Sequence, residues 1–397
     1  MNDDSNVNYL NKLPLELWRE ILSAIPLHPA LTTDESTDPL QFLTTTSAVR
    51  GVFRRIQTYR LGMMTVCKTL YPLAQEMLHS RIGVRAKFIK NGAFERASMR
   101  QIIGSQRRCG EVTTHLWVFD RNYDRVPLSL DTVLPNLRSL KQEDKFHHIL
   151  PFSTMLEERW SLRITVFAVD YCGFGCDDLI VLSLCLPQLS TLKLLNMRVK
   201  SKDSTQIISF PRLQVLVIDF TFCEALPPHI LDLPLLKWMR LETKFEEIDF
   251  IGELLRNLGR TLQGIELGGW GYGNLYTHLH NSIFGNGPNL ETFIFDVAHL
   301  QSLEVLSGNS HPLKHLVIKD YLGTEHPPRG QTLLLSLAHN LVSRSVFPSL
   351  ERITLGFYDF PVNGPLNPAA KDMVLAVKEL LPNILVEGVG FNLYSTD

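Results

Sequence analysis

The sequence predicts an α/β solenoid in which short parallel strands alternate with helices or irregular segments. In about nine segments, a turn with Pro or Gly precedes the pattern apolar-x-x-apolar-x-apolar, as in 186–194 (LPQLSTLKL) and 210–218 (FPRLQVLVI). Between them, 177–185, 250–258, 331–342 and 372–381 have apolar residues at helical spacing. A repeated strand followed by a repeated helix favours a stack of similar units over a closed globular core.

The repeat period identifies the type of solenoid. The first apolar residue of each segment, which we call its anchor, follows the previous one by 23 to 28 residues, until a last step of 37. The anchors are Leu137, Leu162, Leu189, Leu213, Leu236, Leu262, Leu290, Leu313 and Leu350. A period in the twenties with an L-x-x-L-x-L core is the signature of leucine-rich repeats. Because the steps are uneven, we expect an irregular, leucine-rich-repeat-like array over 112–397.

The strand pattern also predicts a binding surface. Helices are wider than strands, so the array should curve as a right-handed solenoid with parallel strands on its concave face and helices or irregular segments outside. Side chains alternate along a strand, so residues between the core positions should face the open concave side. The candidate substrate-binding residues on this face are Lys193, Trp238, Arg240, Glu242, Glu266, Asp296, His315, Lys319 and Arg352. The alternative is that this face is merely solvated and that loops bind the partner.

The N-terminal part of the chain lacks the repeat. After an extended or disordered segment, 1–12, the segment 13–26 (LPLELWREILSAIP) predicts an amphipathic helix that begins at Pro14. A polar insertion, 27–58, follows, and a second helical pattern ends in 61–72 (LGMMTVCKTLYP). Pro72 then opens a third helix, 73–80, and 82–111 should be a linking helix, clearest over 91–109, before a first repeat strand at 115–119.

These N-terminal residues resemble an F-box over 13–81. The resemblance lies in the LPxELW start, the Val66-Cys67-Lys68 segment and the short helix containing Leu73. The layout is similar to that of F-box/leucine-rich-repeat proteins, especially the divergent kind abundant in fungi, although the insertion is longer than in a compact F-box. The resemblance implies an SCF-type (Skp–cullin–F-box) ubiquitin ligase. Its Skp-type adaptor, and through it a cullin, would bind at Leu13, Pro14, Leu15, Glu16, Leu17, Trp18, Ile21, Leu22, Val66, Cys67 and Leu73.

The resemblance therefore predicts a substrate-recognition subunit that holds an unknown protein substrate on the solenoid. The alternative is an interaction scaffold outside any ligase, in which the N-terminal helices only cap the solenoid, since an open end would expose its core. Enzymatic activity is the third interpretation. It is disfavoured because the sequence contains neither a G-x-S-x-G elbow nor a phosphate-binding G-x-x-x-x-G-K loop.

Composition indicates which partners, cellular location and cofactors to expect. The chain of 397 residues is 45% hydrophobic and 20% charged, with a formal net charge of -2, which is typical of a folded protein without a strong attraction to nucleic acid or membrane. The acidic N-terminus lacks the features of a signal peptide, which predicts a cytoplasmic or nuclear protein. Cys172 and Cys176 lack the paired spacing of a zinc site, so no metal or cofactor is expected and free thiols are the default.

Overall fold

In the computed structural model, twelve parallel strands form one continuous sheet, in which the order of the strands follows their order in the chain. The structure describes residues 17, 58, 61–62, 71–85, 88–89, 92–120, 130–144, 159–170, 173–174, 176–195, 198–199, 206–219, 230–242, 248–268, 282–296, 311–320, 335–336, 347–358 and 368–391. Sequential parallel pairing is what a stack of strand-and-connection repeats produces. The predicted solenoid of parallel strands is therefore confirmed.

The strands of this sheet are short and similar in length. They are β1 Arg81–Arg85, β2 His115–Asp120, β3 Ser139–Asp144, β4 Val166–Asp170, β5 Thr191–Leu195, β6 Val215–Asp219, β7 Trp238–Glu242, β8 Gly264–Gly268, β9 Thr292–Asp296, β10 His315–Asp320, β11 Arg352–Tyr358 and β12 Leu385–Phe391. Two more pairs of two-residue strands lie outside the main sheet: Gly173–Phe174 with Arg198–Val199, and Ile208–Ser209 with Leu231–Asp232.

A backbone turn precedes most strands and explains the anchor positions. The N–H of Leu189 donates to the carbonyl of Leu186, three residues earlier, at 3.1 Å, and the N–H of Leu213 donates to that of Phe210 at 3.2 Å. Equivalent bonds precede the anchors Leu137, Leu236, Leu262, Leu290 and Leu350. The turn directs each anchor into the core, where all of these leucines are buried.

One predicted anchor is wrong. Leu162 lies in a 3-10 helix, Arg159–Arg163, and is 54% exposed, whereas Ile164 is 0% exposed. The N–H of Ile164 donates to the carbonyl of Ser161 at 3.2 Å, which is the turn found at the other anchors. The anchor of this repeat is therefore Ile164, because the turn decides which of two nearby apolar residues enters the core.

The main core lies between one face of the sheet and the helices. Leu179, Leu182 and Leu254 from the helices share one buried cluster with strand residues such as Leu192 and Phe293. The described helices are α1 Tyr71–Ser80, α2 Ala93–Ser98, α3 Cys109–Val112, α4 Leu130–Val133, α5 Cys176–Cys185, α6 Ile248–Leu258 and α7 Pro368–Leu380. Helices α5, α6 and α7 confirm three of the predicted connecting helices, and the fourth, 331–342, lies mostly outside the described residues.

The sheet begins earlier than the sequence predicted. Strand β1 crosses the predicted boundary between the F-box-like domain, 13–81, and the linking helix, 82–111. Its Arg81 pairs with His115 of β2. Helix α1, the predicted third N-terminal helix, packs against α3 and β1. The Oγ1 atoms of Thr113 and Thr114 donate to the carbonyls of His79 and Ser80. Helix α1 is thus joined to the first repeats of the solenoid.

The predicted helix over 91–109 is also wrong. Helix α2 ends at Ser98, and a tight turn follows, in which Gln101 bridges Arg108 and the N–H of Ile102 donates to the carbonyl of Arg107 at 2.9 Å. Gly104 in this turn has a φ of 77°, a left-handed conformation that interrupts a helix and suits glycine. The apolar spacing of this segment therefore belongs to a helix, a turn and the short α3.

The described part of the connection before β7 contains the two-residue strand Leu231–Asp232. In the part of the chain that the structure describes, no helix combines the length and the apolar character needed to cross a membrane.

Candidate functional site

The candidate site is the sheet face that points away from the main core, which we call the opposite face. Strand pairing aligns the predicted residues in rows across it. Lys193, Arg240 and Glu266 belong to one row, through pairs that join β5 to β6, β6 to β7 and β7 to β8. Trp238, His315 and Arg352 belong to a neighbouring row. Asp296 pairs with Lys319 and Glu242 with Gly268, but the side chains of Glu242 and Asp296 lie outside the described part of the structure. The other predicted residues therefore share one face.

Three of them form a buried charged cluster. Glu266 Oε1 forms an ion pair with Arg240 Nε at 3.5 Å and accepts a hydrogen bond from Lys319 Nζ. Glu266 is 1% exposed and Lys319 3% exposed. Two cations share one carboxylate, whose other oxygen, Oε2, has no hydrogen-bond partner among the described residues. The cluster links β7, β8 and β10 through side chains.

Trp238 packs on the sheet itself. It forms a small buried cluster with Val215 and Val217 on the opposite face, separate from the main core. Its register partner on β8 is Gly264, and a Cβ atom at Gly264 would collide with the Trp238 ring. Glycine therefore makes room for the indole, and Trp238 fills space within this face.

A second polar network lies at the C-terminal end of the sheet. His315 Nε2 and Thr354 Oγ1 are 2.8 Å apart, and Thr354 Oγ1 donates to Glu387 Oε1 at 2.9 Å. Arg352 Nε lies 3.9 Å from the same carboxylate oxygen. Sequence reasoning missed Thr354 and Glu387. Both occupy positions between core residues, so alternation on the last two strands could have identified them.

Burial of the opposite face differs from the expectation of an open concave surface. Lys193, Trp238, Arg240, Glu266 and Lys319 are all buried. Arg352, near the C-terminal end, is exposed, and His315 is half-buried. Alternation correctly predicts which face a side chain lies on, but it does not predict whether that face is accessible. Direct contact with a partner is therefore available at Arg352 and not at the five buried residues.

The N-terminal end of the opposite face is partly accessible. Lys141 of β3 is half-buried and places its ammonium 5.0 Å from the ring centre of Trp117 on the neighbouring strand β2, in a cation–π contact. The pair shows how a cation of this face is held by an aromatic neighbour.

The predicted adaptor-binding residues fall largely outside the described residues. Leu17 is helical and 43% exposed, which leaves an apolar side chain available for contact. Leu73 of α1 is buried, so it supports the fold of this chain and is not exposed for contact with an adaptor. The other nine, from Leu13 to Cys67, are not described.

The buried titratable groups are consistent with structural roles. Burial lowers the pKa of His79 and of His311, whose Nε2 bonds the Gly287 carbonyl at 2.9 Å. Burial raises the pKa of the Cys185 thiol to about 11, and Cys109 and Cys176 are also buried thiols outside any disulfide. Within the described ranges, no three His, Cys, Asp or Glu side chains are grouped so as to hold a metal ion.

Comparison with known proteins adds little to this description. No family model and no curated protein matches the chain. Fifteen chains of solved structures match it, and one of them is the crystal structure of a TLR13–ssRNA13 complex. That chain is 14% identical with a TM-score of 0.41, and the match covers 71% of this chain but only 40% of the neighbour. The assignment of a solenoid therefore rests on the twelve strands themselves.

Proposed function

We propose that this chain is a non-catalytic substrate-recognition subunit of an SCF-type ubiquitin ligase. Its N-terminal helices would bind a Skp-type adaptor, and its solenoid would hold a protein substrate. The observation that carries the proposal is the sequence of 13–22 (LPLELWREIL), because it resembles the first helix of an F-box and its one described side chain, Leu17, is exposed.

The solenoid supports the recognition part of the proposal. An extended sheet of twelve strands gives a long surface, which suits binding of a macromolecule. A receptor of this kind acts by proximity, since it raises the effective concentration of substrate near subunits that perform ubiquitin transfer.

One observation favours the second candidate, a scaffold outside any ligase. Helix α1 packs on the first repeats, with Leu73 and Ala74 buried and Glu76 facing Arg107 at 3.8 Å. This is how a terminal cap protects the end of a solenoid. Capping by α1 and adaptor binding by 13–22 use different segments, so adaptor binding is the property that separates the two candidates.

The test is co-expression with a Skp-type adaptor, followed by size-exclusion chromatography. Wild type is compared with a Leu17→Ala/Ile21→Ala variant and with a matched Leu184→Ala/Ile207→Ala control, which truncates two exposed apolar residues of the solenoid. We expect the adaptor to co-elute with wild type and control but not with the first variant. Co-elution with none of the three, while each is folded, would leave the scaffold as the better interpretation.

A further inference from the structure

A groove of about 490 Å³ crosses the edge of the sheet at the amino ends of four successive strands, β7 to β10. We call it the turn groove. Its lining includes Pro234, Leu235, Lys237, Arg260, Gln263 and Pro312, all from the turns that precede these strands. It is distinct from the opposite face, because these residues come before the strands rather than from within them.

The dimensions suit an extended peptide. Neighbouring strands of a sheet lie about 4.8 Å apart, so four strands span roughly 14 Å. An extended chain rises about 3.3 Å per residue, which places about four residues along the groove. The groove is therefore long enough for a short linear segment.

The charge of the groove is unbalanced. Lys237 and Arg260 are exposed, and no described carboxylate lies within 4 Å of either. The groove also contains Glu291, whose carboxylate is 2.8 Å from Lys314 Nζ, and Glu351 interacts with the same lysine. Lys237 and Arg260, which form no ion pair with a described carboxylate, favour a ligand that carries carboxylates.

The groove also offers apolar and hydrogen-bonding contacts on a fixed backbone. Leu235 is exposed between Pro234 and the buried Leu236, and the side-chain amide of Gln263 has no partner among the described residues. The turns are held by Asn289 Nδ2, which donates to the Arg260 carbonyl at 2.8 Å, and by Thr261 Oγ1, which donates to the Leu258 carbonyl at 3.1 Å. A fixed backbone lowers the cost of ordering a binding surface.

We propose that the turn groove binds an extended acidic segment of a protein partner, with carboxylates at Lys237 and Arg260 and an apolar side chain against Leu235. This inference rests on the proposed function, in which the solenoid holds a protein. It names the chemistry of the bound segment and locates it at the turn edge of the repeats, whereas the sequence had pointed to the concave face.

The test is selection from a random dodecapeptide library displayed on phage, with the full chain as bait. The selected sequences are then synthesised and their Kd values measured by fluorescence anisotropy. The groove variant is Lys237→Glu/Arg260→Glu, and the matched control is Lys371→Glu/Lys378→Glu, which makes the same change in charge at exposed positions of α7. We expect enrichment of Asp and Glu beside an apolar residue and, because two surface charge pairs become repulsions, a loss of about fivefold or more in the groove variant alone.

Three results would overturn the proposal: selected peptides without acidic enrichment, no enrichment over bare support, or equal affinity for the groove variant and its control. Adaptor co-elution is measured on the same variants and should be unchanged by the groove substitutions. Peptide binding without adaptor binding would reject the ligase and keep the groove, and the reverse result would reject the groove alone.

Discussion

Glu266 and Lys319 form a buried ion pair although strand β9 lies between their own strands, β8 and β10. Arg240 approaches the same carboxylate from β7. The single negative charge thus holds two cations in a place where an unpaired charge is expensive.

We predict that Glu266→Gln destabilises the chain more than Lys319→Met does. The first substitution leaves two buried cations without their shared carboxylate and should cost about 3–5 kcal/mol, whereas the second leaves Glu266 paired with Arg240. Urea unfolding monitored by circular dichroism measures both. An equal or reversed order would show that Glu266 does not hold the cluster together.

Gly264 and Trp238 provide a second test. Because a methyl group at Gly264 collides with the indole, Gly264→Ala should force Trp238 from its position and cost about 1–3 kcal/mol. In a Trp238→Leu background the same substitution should cost much less, since the indole is gone. A double-mutant cycle from urea unfolding gives the coupling, and additive costs would contradict the packing described.

Because Ile164 and not Leu162 is the buried anchor, truncating these two residues should have unequal effects on stability. Ile164→Ala should cost about 2–5 kcal/mol, because it opens a cavity in the core. Leu162→Ala should change stability by at most about 0.5 kcal/mol, because Leu162 is exposed on its 3-10 helix. If thermal unfolding showed the larger loss for Leu162, the register of this repeat would be wrong.

Acid should weaken the fold through His311, which is buried, and His79, which is half-buried. Burial lowers the pKa of His311 and of His79 below 6.5 in the folded chain, so the unfolded chain takes up protons first as the pH falls. Their contribution to the stability of the fold is fully present above pH 6.5 and is lost as the pH falls from 6.5 through the pKa values of the folded chain. We expect the Tm to fall from pH 7.5 to pH 5.5, and to fall by less in His311→Gln. If the fall in Tm is the same in the variant as in wild type, His311 is excluded as a cause.

The sequence predicts the repeats well because each one contains its own local signal. A turn followed by an anchor, as at Leu189 or Leu213, combines a backbone hydrogen bond with burial of a leucine, and both are local. The pattern fails at Leu162 and Ile164, where two apolar residues fit the spacing and only the turn distinguishes them. It fails again at 91–109, where Gly104 interrupts an apolar spacing that resembles a helix.

Accessibility is harder to predict than the assignment of faces. The opposite-face position of Arg240 follows from alternation on a strand, but alternation does not predict that Arg240 is buried beside Glu266 of the next strand. The turn groove was missed for a related reason. Lys237 and Arg260 lie in different repeats, and they are brought to one edge only by the stacking of strands β7 and β8.

Reconstitution with both a Skp-type adaptor and a cullin tests whether this chain is a ligase subunit. The mass of the assembly is measured by light scattering after size exclusion, for wild type, Leu17→Ala/Ile21→Ala and the Leu184→Ala/Ile207→Ala control. We expect a three-component complex for wild type and control, and free adaptor–cullin beside a folded chain for the first variant. A folded wild-type chain that never joins the adaptor and cullin would contradict the proposed role in a ubiquitin ligase.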